Sequence, residues 1–288
     1  MSYLLKFKCI LNRKIGLLRN LLRDLSAVFV VSIFLFPIFW LLLISIKPVD
    51  AIFEYKDIIW FDFSPTFFNY EQTIFNKKTE YLSSRYALFA SLIVALGSTF
   101  ITISFAIPAA FALSRYSLRS IRAIFIFLFF QRFVPSIVII VPLVFFYHQL
   151  NLYDSLFGLI LAHAAMSLPF VIFFIKSFID EISLEIREAA IIDGATALGT
   201  FFYIYIPIIR NSILVAAMLC FIFSWTEFVF GLFLTSSNRT LPIQMALSMN
   251  QSWGFTSAIS VISLIPVFIL VLFSQRYLIR GFTMGLNK

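Results

Sequence analysis

Apolar runs near 25–46, 86–114, 123–147, 155–178, 207–235 and 256–275 are each long enough to cross a hydrocarbon core of roughly 30 Å, which takes about 20 helical residues. A chain built this way folds only where lipid replaces water around most of its surface. There, backbone groups must satisfy one another, and a run of this length does so as a helix. The expected fold is an all-α membrane protein with six transmembrane helices. Composition agrees: of 288 residues, 61% are hydrophobic and 12% charged, too few polar groups to clothe a solvated globule. The length leaves no room for a soluble enzyme domain of ordinary size beside the spans.

Basic residues set the expected orientation, because Lys and Arg in short loops stay on the cytoplasmic side. Lys6, Lys8, Arg13, Lys14, Arg19 and Arg23 precede the first run, and Arg115, Arg119 and Arg122 lie between the second and third. Lys176, Arg187 and Arg210 flank the fourth and fifth, and Arg276, Arg280 and Lys288 follow the last. The opposite ends hold fewer: Lys47, Lys56, Lys77, Lys78, Arg85 and Arg239. Both termini are therefore expected in the cytoplasm. The division is a basic arm over 1–24, a six-span membrane domain over 25–280 and a tail over 281–288.

The net charge of +8 is scattered over span ends rather than gathered in one aromatic-interleaved patch, so topology explains it and nucleic-acid binding does not. The first run is too long for a secretory signal core and lacks a small-residue cleavage site after it. Cys9 and Cys220 are isolated, which suggests free thiols and no metal site. Pro37, Pro108, Pro135, Pro142, Pro169 and Pro266 fall in apolar surroundings, where a missing N–H and a ring clash bend a helix. Within the longest polar interval, about Lys47 to Arg85, the stretch from Phe63-Ser64-Pro65 through Asn69-Tyr70-Glu71, with aromatics to bury and little Gly or Ser, reads as an ordered external loop.

Between the fourth and fifth runs the pattern changes. Asp180, Glu181, Glu185, Arg187, Glu188 and Asp193 interleave with Ile182, Leu184, Ile186, Ile191 and Ile192, an amphipathic helix. Ala189 and Ala190 let a partner approach closely, and Asp193-Gly194 is a turn signal. A second short helix is expected from Thr196 to Tyr205, with Pro207 in the first turn of the following span. By itself the segment is either a connector lying on the membrane surface or a docking element.

Glu188-Ala189-Ala190, Asp193-Gly194-Ala195, Ile204 and Pro207 resemble the EAA motif of binding-protein-dependent ABC importer permeases. The likeness continues through Asn69-Tyr70, Pro108 to Arg115, Pro135 to Leu143, Gly158 to Leu161 and Leu168-Pro169-Phe170. It extends to Trp225-Thr226-Glu227-Phe228, Arg239-Thr240-Leu241-Pro242 and Gln275 to Thr283, nearly the whole chain after about residue 25. It is closest to the maltose-type carbohydrate permeases. Departures are Ile206 before Pro207, Arg210-Asn211 after it, Thr226 where the family usually has Asn, and the ending Gly285-Leu286-Asn287-Lys288.

The resemblance implies a type I importer permease in the bacterial inner membrane. Its coupling loop, about 180–206, docks on a separate ATPase through Glu188, Ala189, Ala190, Asp193, Gly194 and Ala195. The chain has no phosphate-binding G-x-x-x-x-G-K-[ST] loop, so ATP and Mg are expected on the ATPase, with no cofactor, metal or catalytic residue here. Implied partners are a second permease in a heterodimer, two copies of the ATPase, and an extracytoplasmic solute-binding protein docking on the 47–85 and 236–255 loops. The solute is a sugar or a relative: oligosaccharide, monosaccharide, polyol or glycerol-phosphate ester.

Glu227 and Arg132 are ionisable residues inside spans, either lining the translocation path, with Gln131 beside them, or bracing the bundle. His163 reads as a packed, hydrogen-bonded histidine and His148 and Asp154 as external residues. The alternative function is an ion-gradient-driven carrier, which calls for more intramembrane acids or for internal repeats. Only Glu227 is clearly inside, and no duplication is visible.

Overall fold

A computed structural model describes residues 2–48, 50–53, 60, 61, 63–75, 84–115, 123, 126, 127, 130, 133–249 and 252–284. The described residues are helical, with no strand among them. They form α1 (Ser2–Ser45), α2 (Asp50–Phe53), α3 (Phe68–Phe75), α4 (Ser84–Arg115), α5 (Ser136–Gln149) and α6 (Leu156–Asp180). Then come α7 (Leu184–Ile192), α8 (Ala197–Gly199), a π-helical turn (Thr200–Tyr205), α9 (Ile206–Trp225), α10 (Val229–Leu234), α11 (Leu241–Ser248) and α12 (Trp253–Met284).

Five helical stretches are long and apolar enough to cross a membrane: Arg19–Ser45, Ser84–Arg115, Leu156–Asp180, Ala197–Trp225 and Trp253–Gln275. The expected third span, 123–147, is described only in part; its described helix, α5, has 14 residues. Basic arm and first span form one continuous helix, α1. Pro37, Pro108, Pro142, Pro169 and Pro266 sit inside helices, whereas Pro135 precedes α5 as its cap.

Helix α4 is the centre of the bundle, packing along α6 and α9. Its buried face is a ridge of small residues, Ala87, Ala90, Ser91, Ala95, Ser98, Thr102, Ala106 and Ala110, at helical spacing. In lipid, helices gain little by hiding apolar surface from one another, so close backbone approach through such residues carries the packing. One cluster joins Ala106 and Ala110 to Val171, Ile175, Ile179, Tyr205 and Ile209; another joins Val94 to Ile140, Leu159, Phe230 and Leu234. The outward faces carry Phe34, Phe100, Phe145 and Phe273, all exposed, as a lipid-facing surface requires.

At the end bearing α3, Asn69 is buried and its side-chain amide donates to the carbonyls of Ser45 and Lys47, both at 3.0 Å. This pins the loop onto the end of α1. Gly254, in the first turn of α12, lies against the same side chain: a Cβ there would sit 2.7 Å from Nδ2 and 2.9 Å from Oδ1 of Asn69. Because two hydrogen bonds hold Asn69, it cannot swing aside. Gly254→Ala is expected to destabilise the assembled bundle by about 1–3 kcal/mol, seen as a lower thermal midpoint in detergent; an unchanged midpoint would show that the contact is soft.

Candidate functional site

The fifth expected span, 207–235, is not one helix. It begins earlier, at Ala197, because Thr196 accepts from the Gly199 N–H at 3.1 Å and the π turn runs straight into α9. The expected separate Thr196–Tyr205 helix is thus the first part of a longer one. The span then breaks at Thr226–Phe228 before α10 resumes. Glu227 holds the break open. Its Oε1 accepts the Phe230 N–H at 2.9 Å and its Oε2 the Gly231 N–H at 3.3 Å, so the carboxylate caps the exposed start of α10. A carboxylate at a helix N-terminus answers both the orphan donors and the positive end of the dipole.

Beside it stands His163 of α6, with only 2% of its side chain exposed. Its Nε2 lies 3.3 Å from Glu227 Oε2, within ion-pair range though off hydrogen-bond alignment. Its Nδ1 lies 2.7 Å from Ser224 Oγ, and Ser224 accepts from Ser98 Oγ at 2.9 Å. Ser224 links the imidazole to α4, and the other ring nitrogen faces the carboxylate. Four elements, α4, α6, α9 and α10, thus converge on one polar chain.

That chain borders a cavity of about 420 Å³, lined by Ser136, His163, Met166, Ser167, Phe223, Ser224, Thr226 and Glu227 among others. Hydroxyls, an imidazole, a carboxylate and an aromatic face are groups that receive a hydroxylated solute. Gln131 and Arg132 lie outside the described residues. The intramembrane partner of Glu227 seen here is His163, 64 positions away along the chain. No spacing rule links the two.

At the other end, α6 stops at Asp180 and α7 starts at Leu184, so Asp180 closes the span rather than opening the amphipathic helix as expected. Of the six residues expected to couple, Ala190 is buried, Ala195 half-buried, and Glu188, Ala189, Asp193 and Gly194 are exposed. Gly194 has φ +83°. Ile191, Ile192, Leu198, Phe202 and Tyr203 are exposed around it; Ile192 is 85% exposed. An apolar surface of this kind beside carboxylates has the composition of an interaction site.

This segment is fastened to the bundle through Arg115. Its guanidinium donates to the carbonyls of Ile179 at 2.7 Å and Ile182 at 3.0 Å, and lies 4.9 Å from the Tyr205 ring centre. It therefore joins the end of α4, the end of α6 and the π turn. Ser114 donates to Asp180 at 2.6 Å, and Asp180 pairs with Lys176. Tyr205 is fully buried, yet its hydroxyl has no hydrogen-bond partner among the described residues. Tyr205→Phe removes an unsatisfied polar group and keeps the ring, so it is expected to leave stability unchanged or raise it by up to about 1 kcal/mol. Arg115→Ala should lower it. A drop in thermal midpoint for Tyr205→Phe would mean that the hydroxyl has a partner after all.

At the end remote from this segment, Asp154 has φ 53° and its Oδ1 accepts the backbone N–H groups of Ser236, Ser237 and Asn238 at 2.8, 2.9 and 2.9 Å. Burial pushes its carboxyl upward, but those three donors outweigh it and hold the group below the usual carboxylate range. A depressed value stabilises the fold above the unfolded value, and the contribution is lost as pH falls through the folded one.

Residues 102–284 match the family described as binding-protein-dependent transport system inner membrane components. The chain belongs to this family. The permease is 33% identical to the sulfoquinovosyl glycerol transport system permease of Agrobacterium fabrum over 256 residues, covering 87% of this chain and 88% of that protein. It is 29% identical to the trehalose/maltose transport system permease of Thermococcus litoralis, with 94% and 98% covered. Its fold matches a bacterial ABC transporter involved in the import of the acidic polysaccharide alginate, with a TM-score of 0.70 at 21% identity over 92% of this chain and 96% of that one. A carrier driven by an ion gradient is thereby set aside. The permease is a membrane component of a transport system, not an enzyme.

Proposed function

We propose that this permease carries a sugar or a related hydroxyl-rich solute across the bacterial inner membrane, powered by an ATPase on separate chains. The observation that carries the reading is the segment 184–203, where Ile191, Ile192, Leu198 and Tyr203 are exposed on either side of a left-handed Gly194 with none of the described residues over them. Glu188, Ala189, Ala190, Asp193, Gly194 and Ala195 are the contacts with the ATPase, which holds the ATP and Mg. Arg115 and the π turn pass its closure into α4 and α6 as a rigid-body movement. The cavity at Glu227, with His163, lies on the path; Arg132 and Gln131 are assigned to the same path from the sequence.

The named solutes of the relatives support a carbohydrate. Six spans are assigned from the sequence, with 123–147 as the third; both termini are cytoplasmic, the 1–24 arm and 281–288 tail flank the membrane domain, and the unit is a heterodimer with two ATPase copies. A solute-binding protein delivers from outside. Affinity purification in mild detergent is expected to recover an ABC ATPase, a second permease and, after cross-linking, a binding protein. Recovery of the folded chain without an ATPase in several mild detergents would overturn the reading.

A further inference from the structure

We infer that Asp154 presets the external loop after α10 so that Arg239 meets an acidic side chain on the solute-binding protein. The inference rests on the importer reading above, and goes beyond it in naming the residue that docks, the residue that positions it and the chemistry of the partner.

The loop between α10 and α11 is anchored at both ends by burial: Leu234 and Leu241 are each 1% exposed, and the Leu241 N–H donates to Ser91 Oγ of α4 at 2.7 Å. Between those anchors Ser236 and Ser237 are exposed, and three consecutive N–H groups point inward. Three successive amides form a concavity that takes an anion, and here the chain fills it with its own carboxylate. The grip is mutual. The Asp154 N–H donates to the Leu234 carbonyl at 2.9 Å, and the Asn238 side chain donates to the Asp154 carbonyl while accepting from the Tyr86 hydroxyl. Asp154 adopts a left-handed backbone to make these contacts, a conformation uncommon for non-glycine residues.

The grip orients Arg239. Its Nε donates to the Ser236 carbonyl at 2.8 Å, inside the turn that Asp154 gathers. Its two terminal nitrogens make no hydrogen bond or ion pair with the described residues, and the side chain is half-exposed. A guanidinium held by Nε, with its two terminal nitrogens unengaged by the described residues, can take a carboxylate end-on through both of them. A loop fixed before contact loses little freedom on docking, so presetting converts into affinity. The burial of Leu234 and Leu241 holds the flanking helices without Asp154, so removing the carboxylate loosens the loop and spares the bundle.

The test is ATPase activity of the assembled importer in nanodiscs, titrated with its cognate binding protein recovered as above. Asp154→Asn and Arg239→Gln are each expected to raise the half-saturating concentration of binding protein about tenfold, equivalent to roughly 1.4 kcal/mol. The rate at saturation stays unchanged. The double variant should be no worse than Arg239→Gln, because both act through one contact. Arg239→Glu should be worse than Arg239→Gln at low salt, the two converging at high salt. A lowered saturating rate at unchanged half-saturation would overturn the inference, as would Arg239→Gln behaving like the unaltered chain. Should Asp154→Asn fail to assemble, the Arg239 series alone decides. A complex whose ATPase ignores the binding protein altogether would sink the importer reading itself, a different result from loss of the Arg239 effect.

Discussion

Gly194→Val is expected to abolish recovery of the ATPase with the permease, more than about tenfold down, while the chain still inserts and folds. The end of α7 explains why. The Ala195 N–H bonds to the Ala190 carbonyl at 2.9 Å and the Gly194 N–H to the Ile191 carbonyl at 3.0 Å, the paired bonds of a Schellman termination. The motif demands a left-handed residue at position 194, and φ is +83°. An L side chain there costs about 1–2 kcal/mol, more when β-branched. The cost is purely conformational, since a Cβ on Gly194 would meet no atom within 4 Å. Relief comes by unwinding the turn, which moves Ile191 and Ile192 away from Leu198 and Tyr203 and dismantles the docking face. Gly194→Asn, which tolerates the left-handed region, should keep most of the ATPase. Equal recovery with Val, Asn and Gly would show that the turn does not shape the interface.

Such a test could be designed from the sequence because its residues are neighbours in the chain. Apolar run length foretold five membrane-crossing helices of the described residues, since bilayer thickness acts on each run separately. The Glu188–Ala195 signature and the Asp193-Gly194 turn are local chemistry too, and the structure places them at the end of α7 and in the turn that closes it. Boundaries were harder: Asp180 was read into α7 although it ends α6, and the span entered at Pro207 in fact starts at Ala197. A polar residue at a helix end carries no label saying which helix it closes. Least legible were the contacts between distant residues. Asp154 reads as one external acid among others, and nothing in its surroundings announces that it gathers the amides of 236–238. His163 reads correctly as a packed histidine, but its companions Ser98, Ser224 and Glu227 come from three other elements.

That convergence makes Glu227 the position of greatest leverage within the membrane. Glu227→Leu preserves bulk but deprives the Phe230 and Gly231 N–H groups of their acceptor and leaves His163 Nε2 without its carboxylate. Each buried donor so orphaned costs about 1–3 kcal/mol, moderated at Glu227 by the 20% of its side chain that remains exposed to the cavity. The expected result is a lower thermal midpoint, faster hydrogen exchange across α10 and solute uptake reduced at least about tenfold. Glu227→Gln separates two contributions. Its amide oxygen still accepts from one α10 N–H, so the break in the span and the thermal midpoint should largely persist, while the charge facing His163 is gone. Uptake by the Gln variant that matches the unaltered permease would assign Glu227 to holding the broken helix. Uptake that falls as far as in the Leu variant, with the fold intact, would assign it to the path. Full activity in Glu227→Leu would contradict both roles, because a break whose cap can be removed without effect is held by the packing of Phe230 and Leu234 alone.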